Sequence, residues 1–542
     1  MKPEDRCTIE GTVVNAVTGE PLKKANLSLM KGDANQPNVA PYGATTDAAG
    51  RYRIENIDPG RYMFAASRNG YVRSNYGSKG KRGYGPGIPL TLSARQVMKD
   101  VLFRLTPQAV VSGRVVDEDG EPLANAQVQC LRRAFINGKR TLMPQGYSST
   151  NDKGEYRAFG LPPGKYFVTA VYRMNPTWGA AEIRSDEAAN DTYATTFYPS
   201  ALNESSAIPV EVTSGAEITA IDLKLIRMRA FQLSGVVTGS PQSGPVFIML
   251  FPKSGSEGVS AWASMRQSST DPKGAFLFRG VMPGSYLLQA QGMGSSNQQP
   301  MMATATVEVG DSNVENIQVT FSASSALKGT LVIDGKQDLA DLKGRQIGVN
   351  LQPQGSLYGP GQRGSQVKDD ATFEIPNASQ DQYRINVYGM PETYYVKSVR
   401  VGPVELPKEI LDLSKGASAG ELTIVVSPDG AQIEGSVQDK DHKPVAGAQV
   451  VAIPDPRDFV SRYKGGSTDQ YGRFVIKGIA AGTYKLFAFD DLDWGAQQDA
   501  EFMKPFEDRG ETLELKDGAK EVRDLKLIVT DETEAPQQKA SN

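Results

Sequence analysis

Asn151-Asp152-Lys153-Gly154-Glu155-Tyr156-Arg157-Ala158-Phe159-Gly160-Leu161-Pro162-Pro163-Gly164-Lys165-Tyr166 is the stretch that decides the fold. It opens on an aspartate–glycine turn, in which the carboxylate accepts from nearby backbone amides and glycine takes a positive φ. The residues after Gly154 then read as a half-buried strand. Pro163-Gly164 suits a type II turn, because proline presets φ and glycine follows. Tyr166 next resembles a tyrosine corner, whose ring packs while its hydroxyl ties down the preceding loop. Turn, strand, turn and strand within sixteen residues is the grammar of a β-sandwich.

The same grammar recurs along the chain. Asp47…Gly50…Tyr52, Asp271…Gly274…Phe276 and Asp469…Gly472…Phe474 repeat the first turn, with Asp152…Gly154…Tyr156 one residue tighter. Ten residues beyond each glycine comes another (Gly60, Gly164, Gly284, Gly482), with Tyr62, Tyr166, Tyr286 and Tyr484 two places on. Upstream, a short strand carrying one glycine opens five blocks, at Gly11, Gly113, Gly235, Gly329 and Gly435. In three blocks a turn follows at once: Thr18-Gly19-Glu20-Pro21, Asp119-Gly120-Glu121-Pro122 and Asp441-His442-Lys443-Pro444. The fourth block keeps Asp370, Phe373 and Tyr383. Strand pairs close the first, second, third and fifth blocks, as from Thr91 to Leu105.

These repeats predict an all-β chain of five tandem β-sandwich domains of the Ig-like, Greek-key kind. The boundaries fall at 1–107, 108–229 (with a long loop insertion over 173–206), 230–323, 324–428 (degenerate) and 429–531, before a polar, disordered tail over 532–542. The length agrees, since 542 residues exceed what one hydrophobic core organises. Fifty-nine basic and 62 acidic residues leave a net charge of −3, which offers no footprint for nucleic acid. No run approaches the ~18 apolar residues of a membrane span. Met1 to Cys7 lacks the apolar core of a signal peptide. The chain is therefore either cytoplasmic or a trimmed form of an exported protein. Cys7 and Cys130 are the only cysteines, so no disulfide framework is expected.

Ser112-Gly113-Arg114-Val115-Val116-Asp117, Gly120-Glu121-Pro122-Leu123-Ala124-Asn125-Ala126, Asn151 to Tyr156 and Leu161 to Tyr166 together resemble the carboxypeptidase regulatory-like domain family. The resemblance covers 109–171 and 430–490, extends over 7–70 and 232–291, and reaches 326–390 in reduced form. Thr196-Phe197-Tyr198-Pro199, Tyr395 to Arg400 and Leu422 to Ser427 resemble large multi-domain exported proteins of acidobacteria. The resemblance implies a transthyretin-like sandwich and an exported, non-catalytic module of the cell surface or periplasm.

The residues point away from catalysis. One histidine and two distant cysteines cannot supply the two or three imidazole or thiolate ligands of a zinc enzyme. His442 occupies a turn position held by Gly19 and Gly120 elsewhere, and histidine tolerates positive φ. Asp47, Asp152, Asp271 and Asp469 recur at one turn in four blocks, as a structural device would. No phosphate-binding loop or nucleophile elbow stands in a suitable setting. Asp117-Glu118-Asp119 and Asp490-Asp491-Leu492-Asp493 gather hard oxygen ligands for calcium, and solvated turns explain them equally well. No cofactor and no metal is expected.

Aromatic groups carry the binding alternatives. Trp178, Tyr193, Phe197 and Tyr198 cluster in polar sequence, Trp262 and Trp494 lie outside the repeat pattern, and Tyr71, Tyr76 and Tyr84 form another group. Flat exposed rings stack on sugars, and buried ones fill domain junctions. Two functions follow. One is a non-enzymatic scaffold or adhesion protein of the cell envelope or extracellular space, monomeric and reaching about 150 Å if strung in line. The other binds polysaccharide through Trp178, Tyr193, Phe197, Tyr198 and Trp262. Expected partners are cell-surface or extracellular polysaccharides or proteins. A third option, a periplasmic partner of an outer-membrane transporter, uses the same domain type.

Overall fold

The structure, a computed structural model, describes residues 5–31, 42–78, 87–136, 138–172, 191–239, 245–253, 265–292, 301–321, 326–335, 340–354, 363–376, 378, 382–414 and 420–530. Trp178, Trp262, Tyr84, most of the insertion and the tail over 532–542 lie outside the described residues. Nearly all regular structure is strand. Five sandwich cores follow one another, at residues 7–105, 109–225, 231–321, 327–426 and 431–525.

The first sandwich shows how alternation makes a core. Arg51–Ile57 buries Tyr52, Ile54 and Ile57 and turns its arginines and glutamate outward. It pairs antiparallel with Cys7–Asn15, which pairs in parallel with Val97–Leu105. The facing sheet runs Tyr42–Thr45, Asn26–Lys31, Gly60–Ser67, with Leu90–Leu92 also on Gly60–Ser67. The two closing strands therefore join opposite sheets and do not pair with each other. The other units repeat this plan. The fourth, despite its worn sequence, is a full sandwich of a five-stranded and a four-stranded sheet.

The opening glycine has a role that its strand setting hid. A Cβ on Gly11, Gly113 or Gly235 would stand 1.9, 2.2 or 2.1 Å from the carbonyl oxygen of Val101, Ile221 or Ile317 in the parallel neighbour. Only glycine admits backbone that close. In the first two units the tyrosine of the next strand caps the same carbonyl. Tyr52 donates to Val101 at 3.0 Å and Tyr156 to Ile221 at 2.6 Å.

Several turn details correct the sequence reading. In the second unit the turn acceptor is Asn151, not Asp152: its Oδ1 accepts from the Lys153 and Glu155 amides, and the spacing to Gly154 equals that of the other units. In the fourth unit Lys368 takes the aspartate position, Ala371 takes the glycine position at φ 68°, and Asp370 accepts from Thr372 instead. The Pro-Gly corners are not type II turns. Gly60, Gly164 and Gly284 have φ of 150–154°, far from the ~80° of a type II turn, and with Gly482, which follows Ala481, they carry the chain from one sheet to the facing one.

The five units do not form a line. The hairpin of Gln127–Ile136 and Lys139–Ser149 reaches the fifth unit, where the Phe135 ring meets Phe502 at 5.4 Å, edge to face. There Phe487, Phe489, Met503 and Phe506 form a second core under the short helices of residues 496–509. Arg140 pairs with Asp499 at 3.7 Å. The first unit touches the fifth as well, with Gln470 donating to the Thr91 carbonyl at 3.1 Å. The fourth adjoins it through Tyr395, which donates to Asp517 at 2.5 Å. The fifth unit thus binds the first, second and fourth, and the extended arrangement expected from the tandem repeat is not adopted.

Candidate binding groove between the first and second domains

A cavity of about 650 Å³ lies where the first two sandwiches meet. Its floor is the connection between them, held by backbone bonds from Val72 to Thr106 (2.8 Å), Gln108 to Gly70 (2.9 Å) and Gly215 to Pro107 (3.1 Å). One wall carries Arg68 and Tyr71, with the guanidinium 5.2 Å from the ring centre. The other carries Arg157 and Phe159. Phe159 sits in a β-bulge between Ala158 and Leu161 whose second residue, Gly160, has φ 82°. Such bulges re-aim side chains, and Phe159 stays 66% exposed. Arg157 forms an exposed ion pair with Glu217 at 3.3 Å. Asn26 and Gln108 bring amides to the same lining. Two arginines, amides and two rings around a preformed concavity suit binding. Of these residues only Tyr71 figured among the aromatic groups singled out in the sequence. Beyond it, the bulge alone left a trace, as a phenylalanine before glycine at the outer end of a strand.

The rings proposed to bind polysaccharide lie elsewhere. Tyr193 is buried, packs edge to face on Tyr172 at 5.7 Å and bonds to Arg227. Phe197 is buried beside Leu131 and Phe167 within the second domain. Neither offers the face a sugar needs, because Phe197 belongs to a small core beside the sheet and Tyr193 to the main core of the second sandwich. Tyr198 is half-buried against that core, and Tyr71 and Tyr76 pack on the first core. Trp494, in contrast, is 90% exposed.

The polar candidates cap turns. His442 has φ 59° where Gly19 and Gly120 have 76° and 87°. Asp117 Oδ1 accepts from the Asp119 and Glu121 amides, and Asp490 Oδ1 from Asp491 and Thr530. Among the described residues no group of three His, Cys, Asp or Glu side chains is arranged to hold a metal ion. Asp47 is held below the usual carboxylate range, first by the Arg51 amide, and Asp439 first by the Lys443 amide. Glu409, buried beside Ser461, Arg462 and Arg384, is raised by desolvation. No helix among the described residues is long and apolar enough to cross a membrane.

A threonine device escaped the sequence reading. Thr46, Thr150 and Thr468, each just before the turn acceptor, donate to Leu22, Leu123 and Val445 and accept from Ala25, Ala126 and Ala448. Each hydroxyl closes the opening loop onto the core.

Comparison with known proteins agrees on family. No curated protein sequence matches the chain. Among solved structures, a streptococcal ancillary pilin is 13% identical, covering 55% of this chain and 98% of its own, with a TM-score of 0.19. The minor pilin GBS52 of Streptococcus agalactiae is 11% identical, covering 41% and 96%, at 0.23. Two B repeat units of the collagen binding protein of Staphylococcus aureus are 12% identical, covering 71% and 94%, at 0.14. Scores this low carry no weight for the function. The model of the carboxypeptidase regulatory-like domain matches residues 8–98, 110–196 and 432–491. The chain thus carries three carboxypeptidase regulatory-like domains, at the first, second and fifth of its sandwiches.

Proposed function

We propose that the chain is a non-enzymatic scaffold or adhesion protein of the cell envelope or extracellular space. The observation that carries this reading is the contact of the fifth domain with the first, second and fourth, which fixes several binding faces relative to one another. The recurrent acids Asp47 and Asp469 accept from turn amides and His442 sits at a positive φ in a turn, which supports a structural role for them. The family resemblance to exported modules supports the location. Incubating the whole chain with isolated cell envelopes and insoluble polysaccharides tests this. Saturable retention with the ligand recovered intact is expected, and release of a cleaved or modified product would contradict it.

A second reading, polysaccharide binding, is favoured by the groove between the first two domains. It moves the site from Tyr193 and Phe197 to Arg68, Tyr71, Arg157 and Phe159. Phe159→Ala abolishing retention on a polysaccharide would support it. Retention unchanged in that variant would move the site elsewhere.

A further inference from the structure

We infer that this groove binds an anionic saccharide, a chain bearing carboxylates on its sugar rings; the inference rests on the second reading above. Sugar recognition combines apolar ring faces with convergent amides and hydroxyls. Phe159, 66% exposed, supplies the face here, and Asn26 and Gln108 the amides. The two guanidinium groups, one from each wall, add a preference for carboxylate. Arg68 is spread over Tyr71, and no ion pair holds it to a carboxylate among the described residues. The Arg157–Glu217 pair has both side chains more than half exposed, so it is weak and exchangeable. A guanidinium fork matches a carboxylate in two parallel hydrogen bonds, which a neutral hydroxyl cannot copy. The volume of about 650 Å³ lies in the range of small-ligand sites. The bonded connection at Thr106 and Gln108 keeps the walls in place before the ligand arrives, so little binding energy is spent on ordering.

Isothermal titration of the whole chain with trigalacturonate and with its methyl ester, at low salt, tests the inference. The acid should bind saturably and the ester about tenfold more weakly. Arg68→Gln and Arg157→Gln should each weaken the acid by about tenfold. Glu217→Gln, which releases Arg157, should tighten it, an outcome that misfolding cannot imitate. Equal binding of acid and ester, lost in Phe159→Ala, would overturn the anionic preference while keeping the saccharide reading. Binding of neither would overturn both.

Discussion

Gly478 of the fifth domain lies so close to Glu392 of the fourth that a Cβ on the glycine would stand 2.4 Å from the glutamate's carbonyl oxygen. Gly478 occupies the bulge position that Asn56, Gly160 and Gly280 hold in their own domains, at φ between 60° and 82°. In the second, third and fifth domains this bulge faces the preceding domain or the connection to it: Gly160 toward Gln108, Gly280 toward Thr192, Gly478 toward Glu392 and Tyr394. A local twist of one strand has become the socket of a joint.

Gly478→Ala should therefore loosen the joint between the fourth and fifth domains. The positive φ alone costs about 1–2 kcal/mol, and the backbone contact adds to it. Hydrogen exchange should rise at residues 392–394 and 430, where Gly430 donates to Thr393 at 3.1 Å. Unchanged protection there would refute the socket.

Two glycines of the first domain should respond differently to alanine. Gly11→Ala drives a methyl into the Val101 carbonyl and should cost about 3 kcal/mol or more. Gly19, at φ 76° with nothing within 4 Å of its Cβ position, should cost only about 1 kcal/mol. Urea melts read by exchange over residues 7–15 measure both.

The corner tyrosines divide in the same way. Tyr62, Tyr166 and Tyr286 donate to the carbonyl four residues back, at 2.6, 2.7 and 2.9 Å. The Tyr484 hydroxyl is buried without such a bond among the described residues. Tyr62→Phe should destabilise its domain by about 1 kcal/mol, and Tyr484→Phe should be neutral or slightly stabilising. Equal losses in thermal melts would contradict the assignment.

Cys130 is wholly buried, and burial pushes its thiol up to about 12. A raised folded value means that this contribution is complete below the ordinary thiol range of about 8.5 and is lost as pH climbs toward 12. At pH 8 a thiol reagent should label Cys130 only when the second domain opens. Labelling at the rate of a free thiol without denaturant would show that the core is not closed.

Local chemistry was legible in the sequence, and spatial relations were not. The repeat of turn, strand and corner announced five sandwiches, and His442 could be placed in a turn because Gly19 and Gly120 share its position. Asn151 was missed because amide and carboxylate oxygens cap a turn equally well, while the neighbouring Asp152 looked more familiar. The glycine of the opening strand showed its recurrence but not its cause, since Val101 lies ninety residues away. Tyr193 and Phe197, which polar sequence left open between a sugar-binding face and a junction, are both buried, Tyr193 in the main core of the second domain and Phe197 in a small one beside it. Phe135 and Phe502 carried no signal at all. Each is an ordinary aromatic, and only the fold makes them partners across two domains.

Small-angle scattering of the whole chain tests the closed arrangement most directly. Binding of the fifth domain to the first and second predicts a longest dimension well short of the roughly 150 Å of a linear row of five domains, and Phe135→Ala combined with Gln470→Ala should lengthen it. A wild-type particle already as long as the row, unaltered by those substitutions, would contradict the account.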